Sequence, residues 1–133
     1  MTAEQKLVRA RDVMITNVPT IDGMATAKEA AALMKEHQVS SILVNKRHED
    51  DAWGLVSVQD LIRDVLIPAK KAEMVNVYEI MTKPIFSVAA DMDIRYVTRL
   101  MQQVGMRRAP VEENGKMIGM VTLPSLVLDN DLF

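Results

Sequence analysis

The feature that most constrains this chain is an internal repeat. Asp12-Val13-Met14 has the same cadence as Glu79-Ile80-Met81, and 67 residues separate the two methionines. After a turn that is two residues shorter in the second copy, the offset falls to 65, and Gly54 then corresponds to Gly119. A duplicated unit tolerates one change of length inside a turn. The chain is therefore predicted to form two similar halves packed about a pseudo-twofold axis.

Each copy is predicted to contain a short strand, a helix, two further strands and a second helix, which makes the fold class mixed α/β (α+β) with two β-α-β-β-α repeats. Thr26 and Glu29 have the spacing of a capping box that opens the first helix. Asn114-Gly115, between two apolar runs, predicts a hairpin. The predicted boundaries are 10–66 for repeat 1, 67–75 for a connector and 76–130 for repeat 2. A leading helix is predicted over residues 2–9.

Composition excludes several classes of function. The 133 residues carry 16 basic and 18 acidic side chains, a formal net charge of −2, and this balance argues against a nucleic-acid or anionic-membrane partner. The chain has no cysteine and two histidines, so neither a metal site nor a catalytic residue is expected. No apolar run approaches the roughly 18 residues of a membrane span, and the charged N-terminus does not resemble a signal peptide. A cytoplasmic location is expected.

The repeated motifs resemble those of a known family, the tandem cystathionine-β-synthase (CBS) domain pair, also called a Bateman module. The resemblance rests on the two methionine motifs at the start of each copy, on Val39-Ser40-Ser41-Ile42-Leu43-Val44 and on Gly54-Leu55-Val56-Ser57-Val58-Gln59-Asp60-Leu61. It covers residues from about 10 to 130. The resemblance implies a non-catalytic regulatory module that binds AMP, ADP, ATP or S-adenosylmethionine in clefts between the two halves, with no obligatory cofactor.

In the first cleft, the resemblance implies that Asp60 accepts hydrogen bonds from the ribose hydroxyls and that Ser57 lies beside a phosphate at a helix N-terminus. Copy two would contribute an apolar slot and an arginine at its mouth, formed by Met92, Val97, Met106, Arg107 and Arg108. The alternative is that Ser57 and Asp60 only cap the helix, which a Ser-x-x-Asp tetrapeptide by itself favours.

The second cleft is expected to bind more weakly, because Ser125 stands where copy one has Asp60. A serine offers one neutral hydroxyl in place of a charged carboxylate. The residues that the resemblance places there are Ala25, Ala30, Val39, Ser40, Thr122 and Ser125.

The resulting hypothesis is a sensor that forms a homodimer and signals to an unidentified effector protein through a conformational shift. Two alternatives stay open at this point. One is a structural dimerisation module with empty clefts, and the other is an enzyme that acts on a nucleotide.

Overall fold

A computed structural model of the protein describes residues 7–133. These residues form two compact units. The repeat-1 unit is Val18–Ile85, and the repeat-2 unit combines Phe86–Phe133 with the segment that ends at Asn17.

Short strands and helices alternate along the chain. In chain order they are α1 (Ala10–Val13), β1 (Thr20–Ile21), α2 (Ala27–His37), β2 (Ser41–Val44), β3 (Gly54–Ser57), α3 (Val58–Leu61) with a π-helical continuation (Ile62–Leu66), a 3₁₀ turn (Ala72–Met74), α4 (Val77–Ile80), β4 (Val88–Ala89), α5 (Ile94–Val104), β5 (Arg108–Glu113), β6 (Lys116–Thr122) and α6 (Leu123–Leu128).

Each unit contains one three-stranded sheet of the same topology. The strand orders are β1-β2-β3 and β4-β5-β6. In both sheets the first pair is parallel and the second pair is antiparallel. The first pair is parallel because a helix, α2 or α5, connects its two strands. This order confirms the predicted β-α-β-β-α repeats.

Local sequence signals place the ends of several elements. The amide of Glu29 donates to the Thr26 hydroxyl at 3.1 Å, and the Glu29 carboxylate accepts from the Thr26 amide at 3.0 Å, so the predicted capping box opens α2. Asn114 and Gly115, with φ of 54° and 80°, form the predicted turn between β5 and β6. The predicted leading helix is wrong for its last three residues, which are not helical, since α1 begins only at Ala10. Its first part, residues 2–6, lies outside the described residues.

The compact units are not the two sequence repeats taken end to end, because each unit receives its leading segment from the other repeat. In the repeat-1 unit the Val77 amide donates to the Ala25 carbonyl at 2.8 Å. In the repeat-2 unit the Ala10 amide donates to the Met92 carbonyl at 2.9 Å. The two donors are 67 residues apart, and so are the two acceptors. The two repeats therefore exchange their leading segments in the same way.

Two separate hydrophobic cores stabilise the units. Apolar side chains from the strands and from the inner faces of the helices fill each core, and the exchanged segments add Ala10 and Val13 to one and Val77 and Ile80 to the other. Burial of apolar surface is the main favourable term in folding. The exchanged segments are therefore integral parts of the units that they join.

Candidate functional site

Ser57 and Asp60 form a buried polar pair where β3 passes into α3. One carboxylate oxygen of Asp60, Oδ2, accepts from the Ser57 amide at 2.8 Å and from the Ser57 hydroxyl at 3.1 Å. The Asp60 amide in turn donates to the Ser57 hydroxyl oxygen at 3.3 Å. Asp60 is only 6% exposed. The capping role that the tetrapeptide favours is confirmed, and the ribose-binding role stays a prediction.

The second carboxylate oxygen of Asp60 faces an exposed arginine. The guanidinium of Arg63 donates to Asp60 Oδ1 at 2.9 Å and to Asp64 Oδ2 at 2.7 Å. Hydrogen bonds to Asp64, and then to Asp60, raise the pKa of Arg63 above its usual value. The capping interaction therefore orients the carboxylate, while its other oxygen has a partner that solvent can reach. Arg63 was not among the residues predicted from the sequence, although it follows Asp60 by three residues, a spacing at which side chains of a helix meet.

The equivalent position in the repeat-2 unit has no charge. The Ser125 hydroxyl accepts from the Thr122 amide at 2.9 Å and donates to the Thr122 carbonyl at 3.0 Å. Ser125 is 3% exposed. The Ser125 hydroxyl is neutral, so a ribose hydroxyl that donated to it would form a weaker hydrogen bond than one that donated to the charged Asp60 carboxylate.

Backbone hydrogen bonds place two further predicted residues beside these pairs. The Val58 amide donates to the Ser40 carbonyl at 3.0 Å, and the Leu123 amide donates to the Arg107 carbonyl at 3.2 Å. Ser40 therefore lies next to Ser57 within the repeat-1 unit, and Arg107 lies next to Thr122 within the repeat-2 unit. Each unit thus contains part of each predicted cleft.

The other predicted residues differ in their accessibility. Ala30 and Val97 are completely buried in the cores of their units, so a ligand that touched either side chain would have to displace core neighbours. Arg107 is exposed. Five others are half-buried, and these are Ala25, Val39, Met92, Met106 and Arg108. Ligand contact by all of these residues stays a prediction.

A second candidate site, which the sequence analysis missed, is a pocket of about 440 Å³ in the repeat-1 unit. It adjoins Val44 and Met81, with Tyr78 among its lining residues. Ser57 pairs with Ser41 at one end of β2, whereas Val44 lies at the other end. The pocket and the Ser57–Asp60 pair therefore lie toward opposite ends of the same sheet.

Residues 7–133 contain neither a membrane-spanning helix nor a cluster of metal-binding side chains. Between residues 7 and 133, no helix is both long enough and apolar enough to cross a membrane. In the same part of the chain, no group of three or more His, Cys, Asp or Glu side chains is arranged to hold a metal ion.

Comparison with known proteins gives the family. The CBS domain family model matches residues 10–67 and 77–128. An uncharacterised protein of Methanopyrus kandleri is 36% identical over 121 residues, which are 90% of this chain and 59% of that protein. A CBS domain-containing protein of Bacillus subtilis is 28% identical over 90% of this chain and 83% of its own length.

A solved structure agrees with these matches. The hexameric CBS-CP12 protein from bloom-forming cyanobacteria superposes with a TM-score of 0.88 at 34% identity, over 92% of this chain and 70% of the other. With two matched copies in order, a shared fold and relatives at this level of identity, the chain belongs to the CBS domain family, whose paired domains are generally regulatory modules.

Proposed function

We propose that this protein is a regulatory sensor that binds an adenosine-containing ligand, AMP, ADP, ATP or S-adenosylmethionine, at the site built on Ser57 and Asp60. The observation that carries the proposal is the state of the Asp60 carboxylate. It is buried, it is oriented by two hydrogen bonds from Ser57, and its Oδ1 atom is held by the exposed Arg63. A carboxylate oriented in this way can accept a hydrogen bond from a ribose hydroxyl at its Oδ1 atom.

Ribose binding would replace one hydrogen-bond donor at Asp60 with another. A ribose hydroxyl that donates to Oδ1 replaces Arg63, and a hydrogen bond to a charged group contributes about 1.5–3 kcal/mol. Arg63 keeps its two hydrogen bonds to Asp64 and stays near the ribose. A guanidinium in that position suits a phosphate.

The proposed regulation requires that the ligand binds one conformation of the protein more tightly than another. A ligand shifts a conformational equilibrium only as far as it prefers one state to the other. The state that the ligand favours would present a changed surface to an effector protein, and the chain itself would catalyse no reaction. The competing possibility is a structural dimerisation module that binds no ligand.

Self-association is the second part of the proposal. The CBS-CP12 protein, whose structure superposes on this chain with a TM-score of 0.88, is hexameric. Equivalent positions on the second helix of each repeat expose apolar side chains, namely Val58 and Ile62 in one unit and Leu123 and Val127 in the other. We expect Ile62→Glu with Val127→Glu to yield a smaller assembly in sedimentation velocity than Ile62→Val with Val127→Ile. Equal assembly sizes would contradict the use of these helices.

Isothermal titration with AMP, ATP and S-adenosylmethionine tests the ligand. The wild-type protein should bind at least one of them, and Asp60→Asn should weaken that binding by about tenfold or more, since tenfold corresponds to about 1.4 kcal/mol. Asp64→Asn is the matched control, because it changes the other carboxylate bound to Arg63 without touching Ser57. Unchanged affinity in a folded Asp60→Asn protein refutes the ribose role. No binding of any of the three at millimolar concentration favours the structural module.

A further inference from the structure

The pocket at the Val44 end of the repeat-1 sheet is built from apolar side chains with cations among its lining residues. Val44 is buried and Met81 half-buried, while Met24 and Tyr78 are 71% and 51% exposed. The volume of about 440 Å³ falls within the range of roughly 300–1,000 Å³ that is typical of small-molecule sites. Large apolar side chains that stay exposed around a concave site commonly indicate a binding surface.

In the repeat-2 unit the residues equivalent to this lining include an ion cluster. Tyr78 and Arg11 are equivalent residues, separated by 67 positions, and their amides donate to the equivalent carbonyls of Gly23 and Ala90 at 2.9 and 3.0 Å. The guanidinium of Arg11 is bound by two carboxylates, those of Asp91 and Glu113. The hydrogen bonds that Arg11 donates, to Glu113 first and then to Asp91, raise its pKa above the usual value.

In the repeat-1 unit every member of that ion cluster is different. The position of Asp91 is taken by Met24, and the position of Glu113 is taken by Lys46. A phenol, a thioether and an ammonium group cannot form the three-way ion pair. Apolar surface is therefore left at the place that the ion cluster occupies in the other copy.

Charge at the pocket comes from a second cluster. Arg47 Nε and Lys83 Nζ donate to the same atom, Asp51 Oδ2, at 3.0 and 2.8 Å. The Asp51 side chain is only 8% exposed and is not part of the pocket lining, whereas Arg47 belongs to the lining and its side chain is 76% exposed. The acidic residue of the lining is Asp22, which accepts from the Met24 amide at 2.7 Å in the turn before α2, so the lining carries two cations and one carboxylate.

We propose that this pocket binds a small ligand that carries a planar apolar ring and one anionic group, in the chemical class of the aromatic carboxylates. The ring would pack on Tyr78 and on the thioethers of Met24 and Met81, since sulfur–aromatic and aromatic–aromatic contacts are both favourable. The carboxylate would pair with the guanidinium of Arg47, whose planar donors match it. This site goes beyond the proposed adenosine site, with which it shares no residue.

The test is a titration of ¹⁵N-labelled protein with three probes of one shape, followed by NMR. The probes are indole-3-acetate, the neutral indole-3-acetamide and the cation tryptamine. We expect amide shifts centred on Gly23, Asn45 and Tyr78, and about tenfold tighter binding of the carboxylate than of the amide. Equal affinities for the three probes, or shifts centred elsewhere, would overturn the proposal.

Replacing residues of the repeat-1 unit by their repeat-2 equivalents gives a variant in which the ion cluster should occupy the pocket. Met24→Asp, Lys46→Glu and Tyr78→Arg together install the ion cluster of the repeat-2 unit, and we expect them to abolish the shifts. Undiminished binding by this variant would overturn the proposal. If it does not fold, Arg47→Ala decides, because it should remove the preference for the carboxylate over the amide, and a retained preference contradicts the proposal. Asp60→Asn should leave indole-3-acetate binding unchanged, which separates failure here from failure of the adenosine site.

Discussion

Gly119 is the residue at which one added methyl group should distinguish close packing from ordinary strand propensity. It lies in β6, where the exchanged leading segment of the repeat-2 unit crosses the strand. A Cβ atom at this position would lie 2.5 Å from Met14 Sδ, 2.9 Å from Met14 Cγ and 2.9 Å from the Ile15 carbonyl oxygen. The first two atoms belong to a side chain that can move, but the third belongs to the backbone.

The expected cost of Gly119→Ala follows from these contacts. Overpacking of a well-packed site costs about 1–3 kcal/mol. The carbonyl that the methyl group would push also belongs to a pair of backbone hydrogen bonds between Ile15 and Met120, at 2.7 and 2.9 Å, each of which contributes about 0.5–1.5 kcal/mol. Together these ranges give an expected loss of about 2–6 kcal/mol in the free energy of unfolding. Without the contacts, Gly→Ala would stabilise the chain by about 0.4–1 kcal/mol through the unfolded state, so the sign itself is diagnostic.

The repeat supplies a matched control at Gly54. There an added Cβ would lie 2.9 Å from Met81 Sδ and 3.3 Å from the Thr82 carbonyl oxygen, so most of the clash is with the end of a flexible side chain. Gly54→Ala should cost about 1 kcal/mol, at the low end of overpacking. Urea denaturation of both variants measures the difference, and hydrogen exchange at the Ile15 and Met120 amides should accelerate in Gly119→Ala. Unchanged or increased stability of Gly119→Ala, or an equal loss in both variants, would refute the reasoning.

Three other predictions follow from single sites. Hydrogen bonds from Arg47 and then Lys83 hold the pKa of Asp51 below its usual range, so its ionised form contributes stability above the unfolded-state pKa of about 4 and loses it as the pH falls through the lower native value. The melting-temperature difference between wild type and Asp51→Asn should therefore be constant near neutral pH and shrink in acid, and a difference independent of pH would contradict this. Thr26→Ala should cost about 1 kcal/mol in urea denaturation because it removes the cap of α2, whereas an unchanged midpoint would argue against the cap. Ser125→Asp should strengthen any weak second binding event in calorimetry with AMP, since it supplies the missing carboxylate. An unaltered second event would show that the carboxylate is not what the site lacks.

Much of the fold could be predicted because its signals are local or periodic. The capping box at Thr26, the turn at Asn114-Gly115 and the order of elements depend on neighbouring residues. The exchange of leading segments could not be predicted in the same way, because Asp12-Val13-Met14 does not indicate which sheet receives it. That information lies in a pair of distant residues, Met14 and Gly119, whose fit appears only when both are in place.

The candidate sites divide along the same line. Ser57 and Asp60 were identified from a motif, and their capping geometry followed from the spacing. The pocket could not be predicted from the sequence, because it depends on an ion cluster that is present in the repeat-2 unit and that the residues of the repeat-1 unit cannot form. Nothing in the sequence marks Tyr78 as functional. Its importance follows only from the structure, in which the equivalent residue, Arg11, is bound to two carboxylates.

In a duplicated chain, each repeat can be compared with the other as a control for the requirements of folding. Several features that support the fold recur in both copies: the amide-to-carbonyl bonds of the leading segments are repeated at the offset of 67, and each sheet has a glycine where a methionine packs against it. If the fold requires the same residues in both copies, the copies should differ only at positions where the fold accepts more than one residue. Two chemical differences between the copies, Asp60 against Ser125 and Tyr78 against Arg11, lie at opposite ends of the sheets. Because the other copy shows that each alternative is compatible with this frame, exchanging residues between copies tests function with the smallest risk to the fold.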